Sequence, residues 1–161
     1  MATDQLTQPL EHLRQLLAEP FTGRERAWAE ELCQALGRLA CAWRGHVADT
    51  EGRGGLAATV DLTRPSLFRE LADVRREHAD FSKQTQDFAN RVQQSASAFD
   101  QTSGDARTTQ RLPAPTPAAG LVDLGSLRDE AARFLDAVEH HQDHESALVL
   151  ESVTTDLGAG D

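Results

Sequence analysis

The sequence contains no Tyr and no Ile, and its aromatic residues are six Phe and two Trp. Its aliphatic content is mostly Leu and Ala, which favour helices, while β-branched and aromatic side chains favour strands. A strand-rich fold is therefore excluded. Lysine occurs once, at Lys83, and the other basic residues are Arg interspersed among acids, for a formal net charge of −10. Phosphate contacts need clustered Lys and Arg, so nucleic acid is not an expected partner. No run approaches the ~20 apolar residues that span a membrane, and the opening MATDQLTQPLEH lacks the basic start and apolar core of a signal peptide. A cytoplasmic location without membrane contact is expected. Only two cysteines occur, Cys33 and Cys41. On one helix they would lie ~12 Å apart along the axis, beyond disulfide reach, and they read as reduced thiols. Gly52-Arg53-Gly54-Gly55 follows a helical segment and not a strand, so it reads as a turn and not a phosphate loop. With no serine-nucleophile motif and no electropositive surroundings for either thiol, the sequence leans away from an enzyme.

What the sequence does contain is apolar spacing by three and four in four segments. The first spans residues 7–19, with Pro9 in its first turn, Leu10, Leu13 and Leu17 as its stripe, and Pro20 as its stop. The second runs from residue 23 or 24 to 49 on Trp28, Leu32, Ala35, Leu39, Trp43 and His46, until the glycines at 52, 54 and 55 break it. Residues 56–62 form a further short helical piece. The third begins near Pro65 and carries Leu67, Leu71, Val74, His78, Phe81, Thr85, Phe88, Val92 and Phe99 to about Asp100. The fourth starts near Ser126, where Ser126-Leu127-Arg128-Asp129 resembles a capping box, and runs to about Thr155 on Leu127, Ala131, Leu135, Val138, Glu145, Val149 and Val153. Between the third and fourth, residues 102–120 hold three alternating prolines, which favour an extended linker. The expectation is one all-α domain over residues 1–161, an antiparallel up-down four-helix bundle with a long Pro-rich loop between its third and fourth helices.

Six histidines are distributed over these segments: His12, His46, His78, His140, His141 and His144. At about 100° per residue, His46, His78 and Glu145 fall in the middle of their stripes and His141 on the edge of its own, whereas His12, His140 and His144 point elsewhere. His78, His141 and Glu145 lie ~15–20 Å from one end of an antiparallel bundle. His46 joins that level only if residues 56–62 continue its helix's path; a helix ending at Asp49 leaves it ~10 Å too low. A carboxylate facing a core is costly unless paired or bonded to a metal, and imidazoles with carboxylates on facing helices are how bundles hold metal ions. His46, His78, His141 and Glu145 are thus the candidate metal ligands, for iron or another divalent ion. The alternative is a metal-free polar layer in which His78 pairs with Glu145. The composition identifies no particular protein partner, and a homodimer stays open.

The segment from His46-Val47-Ala48-Asp49-Thr50-Glu51 through Gly52-Arg53-Gly54-Gly55-Leu56, followed by Pro65 and by Arg76-Glu77-His78, resembles the middle of hemerythrin-like (HHE cation-binding) bacterial proteins. So do His141-Gln142-Asp143-His144-Glu145, Leu148-Val149-Leu150-Glu151 and Asp156-Leu157-Gly158 near the end, and Gly23-Arg24-Glu25-Arg26-Ala27-Trp28 near the start. The resemblance covers most of the chain outside the linker. It implies a four-helix bundle with a non-haem di-iron site, and a sensor, carrier or storage role. The ligand pattern is incomplete. Thr50 stands four residues after His46 where the family has Glu, Ser82 four after His78 where it has His, and His12 is out of phase; only His141 with Glu145 keeps the HxxxE spacing. A degenerate one-metal site, or a bundle without metal that serves as a structural or interaction module, is the resulting expectation.

Overall fold

A computed structural model describes residues 3–63, 65–104 and 123–154. Every regular element in them is helical: α1 (Thr3–Ala18), α2 (Glu25–Glu51), α3 (Leu56–Thr63) and, after a 3-10 turn at Pro65–Leu67, α4 (Phe68–Gly104) and α5 (Leu124–Thr154). Among the described residues there is no strand, and no helix is long and apolar enough to cross a membrane. The four long helices pack against one another: α1 on α2, α2 on α4, α4 on α5, and α5 back on α1, with the short α3 touching α2, α4 and α5.

Helix boundaries follow local chemistry with some departures from expectation. Pro9 lies inside α1 and not in its first turn, because the helix begins at Thr3; its ring removes one backbone donor from the ladder. The fourth expected helix starts two residues before Ser126. Asp123 is its cap, its carboxylate accepting the Gly125 N–H at 3.0 Å. α4 continues through Gly104, into the expected linker; the rest of that linker, with its prolines, lies outside the described residues, as do the Phe99 and Val153 side chains and the expected closing turn at Asp156-Leu157-Gly158. At the end of α2, a Cβ on Gly55 would collide with the carbonyl oxygens of Asp49 and Thr50, and Gly54 adopts φ +88°. Only glycine tolerates both demands, so the break at 52–55 is a tight reversal folded onto the last turn of α2.

Burial repeats every seven residues. From Leu67 of the 3-10 turn into α4, one set is Leu67, Val74, Phe81, Phe88 and Ser95, the other Leu71, His78, Thr85 and Val92; on α5 they are Leu127, Phe134, His141 and Leu148, and Leu124, Ala131, Val138 and Ser152, with Glu145 in register. α2 does the same with Ala29, Leu36, Trp43 and Thr50 beside Leu32, Leu39 and His46. This is the two-position core of a heptad, the pattern of helices packed nearly along one another. It corrects one expectation: Val149 is 46% exposed and Leu148 takes the core position. A stripe projected at 3.6 residues per turn drifts by about 20° per heptad from one that keeps a strict seven-residue repeat.

The core falls into two apolar clusters. The larger joins the leucines of α1 to Trp28, Leu32, Leu39, Trp43, Phe81, Phe88 and Val138. The smaller joins Ala57 and Val60 of α3 to Leu67, Leu71, Val74 and Leu148. Along α4, His78 falls between Val74 and Phe81; along α5, His141 and Glu145 fall between Val138 and Leu148. The polar residues therefore form a layer where the two clusters meet.

Candidate metal centre

Three helices build this layer. His46 comes from α2, His78 from α4, and His141 with Glu145 from α5. Their rings stand close: centroids are 5.4 Å apart for His46 and His78, 5.9 Å for His46 and His141, and 4.9 Å for His78 and His141. His46 shares their level: α2 runs on to Glu51, only ~3 Å past Asp49, and the further helical piece expected after the glycines is present as α3. The three imidazoles are 1%, 2% and 1% exposed. Trp43 backs them, with ring centroids 5.2, 5.7 and 5.3 Å from His46, His78 and His141, and its indole N–H donates to the His78 carbonyl at 3.3 Å.

The Nε2 atoms of all three rings converge on the Glu145 carboxylate. His78 Nε2 lies 3.2 Å from Glu145 Oε1, His46 Nε2 3.0 Å from Oε2, and His141 Nε2 3.7 Å from Oε1. One ligand-type atom from each of the four residues lies within 4.8 Å of all the others. Nitrogen and oxygen donors at ~2.0–2.2 Å from one ion are separated by no more than ~4.4 Å, so the observed set needs only slight contraction to reach that spread. The expected ligand set is thus brought together in full. His12 is exposed, its ring 2.6 Å from Arg38, His140 is exposed, and His144 is only partly buried.

The Nδ1 atoms of two rings face other carboxylates. Glu51, the last residue of α2, places Oε1 2.7 Å from His78 Nδ1. Glu77, on α4, places Oε2 2.6 Å from His141 Nδ1 and Oε1 3.4 Å from His144 Nδ1. Neither residue was expected from the stripes. Glu51 stands five residues after His46 on α2, and it reaches His78 and not the central cluster. Thr50, four residues after His46, is buried, and the Ser82 hydroxyl donates to the His78 carbonyl at 2.8 Å.

Electrostatics follow from these contacts. Burial alone pushes the Glu145 carboxyl up, but the approach of His46 and His78 outweighs it and holds the group down at about 2. Burial pushes His78 down, yet Glu145 and Glu51 on its two nitrogens raise it overall. Burial prevails at His141, which is lowered although Glu77 opposes the shift.

The polar accounting is incomplete. His46 Nδ1, His46 Nε2 and His141 Nε2 are buried without a hydrogen-bond partner; the His46 approach to Glu145 has ion-pair distance without hydrogen-bond alignment. Buried nitrogens without partners cost free energy, and two of the three belong to the converging Nε2 set. Three imidazoles and one carboxylate suit a divalent first-row metal. The fit is to one ion: among the described residues, the groups able to hold a metal reduce to this single set of four, so a full di-iron complement is not matched.

Comparison with models of known protein families, with curated proteins and with solved structures finds no match for this chain.

Proposed function

We propose that this protein is a hemerythrin-like, antiparallel up-down four-helix bundle that holds one divalent transition-metal ion, iron being the candidate the resemblance favours, in a sensor, carrier or storage role. The observation that carries the reading is the convergence of three buried Nε2 atoms on one carboxylate, two of them without a hydrogen bond. The antiparallel arrangement is supported by cross-helix pairs. Trp28 reaches Leu16 and Gln5 reaches Asp49 between α1 and α2; Cys33 reaches Gln93 and Trp43 reaches His78 between α2 and α4; Arg91 meets Glu130 and Glu77 meets His141 between α4 and α5.

His46, His78, His141 and Glu145 would hold the ion. When bound, it would supply a Lewis-acidic centre and, if iron, one-electron redox capacity. The side chains favour holding over turnover. Three of the four donors are at most 2% exposed, and a layer enclosed by Trp43 and two apolar clusters suits an ion better than an organic substrate. The alternative is a metal-free structural layer, favoured by the existing His78–Glu145 hydrogen bond.

Metal content of the purified protein, after expression supplied with iron, zinc and manganese, separates the two. About one equivalent per chain, absent from His78→Ala, supports the metal reading. Metal-free wild type under all three supplies overturns it and leaves the polar layer. In that case His78→Ala should cost ~1–3 kcal/mol of stability, since Glu145 loses a buried partner.

A further inference from the structure

The three carboxylates around the histidine layer are not equivalent. Glu145 lies on the Nε2 side of all three rings, whereas Glu51 and Glu77 lie on the Nδ1 side of His78 and His141. The two nitrogens of an imidazole point away from each other, so a carboxylate bonded to Nδ1 does not share the ion that Nε2 meets. What it does is accept a hydrogen bond from Nδ1–H, keep the proton on that nitrogen and thereby leave Nε2 free. We infer that Glu51 and Glu77 are positioning residues that hold His78 and His141 with Nε2 turned to the central cluster. This rests on the proposed metal reading for its purpose, but not for its geometry.

Each anchor crosses a helix boundary. Glu51 of α2 holds the ring of α4, and Glu77 of α4 holds the ring of α5. Ring orientation is therefore set by the packing of neighbouring helices and not by the rotamer preference of each histidine alone. Glu51 is the last residue of α2, and the glycine reversal begins immediately after it. His46 has no such anchor, since its Nδ1 is buried without a partner. Both anchors are partly exposed, with 34% and 36% of their side chains accessible, so they form the rim of the layer while the ligands lie inside. Partners of this kind orient metal-bound imidazoles, and their loss costs ~10–100-fold in metal affinity.

Two measurements on the full chain test this. The first is zinc(II) affinity by competition with a chromophoric chelator, for wild type, Glu51→Ala, Glu51→Gln, Glu77→Ala and Glu77→Gln, with Glu130→Ala as a control at the Arg91 ion pair, about three turns along α5 from His141. The alanine variants are expected to bind ~10–100-fold more weakly. The glutamine variants, whose amide oxygen can still accept a hydrogen bond from Nδ1–H, recover part of that loss, and Glu130→Ala stays at the wild-type value. The second is the histidine tautomer in metal-free protein at pH 8, read from long-range proton–nitrogen NMR couplings. His141 is expected to carry its proton on Nδ1 in wild type and in Glu77→Gln, and to move it to Nε2 in Glu77→Ala, where Glu145 is the remaining acceptor. Alanine variants that bind zinc as tightly as wild type overturn the inference. So does a wild-type His141 protonated on Nε2. If wild type itself binds no zinc, the zinc reading of the site fails, and the tautomer measurement still decides the positioning role.

Discussion

Glu145 Oε1 stands 3.2 Å from His78 Nε2, across the interface of α4 and α5 and between the two apolar clusters of the core. The contact joins a carboxylate held down at about 2 to an imidazole raised above its ordinary value. Its consequences for stability are calculable in sign.

Glu145 titrates lower in the folded protein than its ordinary value of 4.5. Its ionised form therefore stabilises the fold fully above about pH 4.5, and that contribution is lost as pH falls towards 2. The shift corresponds to at most ~3 kcal/mol. In urea unfolding of metal-free protein, the stability gap between wild type and Glu145→Gln should shrink by up to that amount between pH 5 and pH 2.5. A gap independent of pH in that window would show that Glu145 is not paired inside the bundle.

The two anchored histidines should titrate on opposite sides of the ordinary value of 6.5 in metal-free protein, His78 above and His141 below. His78 thus adds stability that is complete below 6.5 and lost as pH rises through its folded value. His141 adds stability that is present above 6.5 and lost as pH falls towards its folded value. The combined contribution of the two is therefore greatest near pH 6.5 and falls on either side. An NMR titration resolving both rings checks the order, and His141 titrating above His78 would contradict the contacts described.

Leu148→Ala should cost ~2–5 kcal/mol, as a large-to-small change in a core, while Val149→Ala should stay within ~0.5 kcal/mol. The side chains are 3% and 46% exposed. Chemical denaturation of the two variants measures the difference directly, and equal losses would place the α5 core on the other face.

This pair also shows what was legible in the sequence. The four long helices, the break at the glycines and the four-residue cluster followed from apolar spacing and from polar residues lodged in apolar stripes, because burial acts on every turn. Val149 was misplaced because a 3.6-residue projection drifts from a seven-residue repeat over the length of α5. Glu51 and Glu77 were illegible for a related reason. Glu77 lies about 100° around α4 from His78, and Glu51 about 140° around α2 from His46, so neither shares a stripe with the ligand on its own helix. Each meets a histidine of the neighbouring helix, and that pairing depends on how the helices are set against one another.

Gly55→Ala tests whether the reversal after α2 supports the layer. A methyl group there meets the Asp49 and Thr50 carbonyl oxygens, so the turn must shift, and a loss of more than ~1 kcal/mol is expected for alanine at a backbone position that cannot accept it. Thermal unfolding gives the result; an unchanged melting temperature would mean that the turn has room which the observed backbone lacks.

The most direct test of the central claim is a crystal of the protein grown with iron(II) or zinc(II), with diffraction recorded on both sides of the metal's absorption edge. The account predicts one anomalous peak per chain, ~2.0–2.2 Å from His46, His78 and His141 Nε2 and from a Glu145 oxygen. No peak in that layer, or peaks only at the outlying His12, His140 or His144, would contradict it.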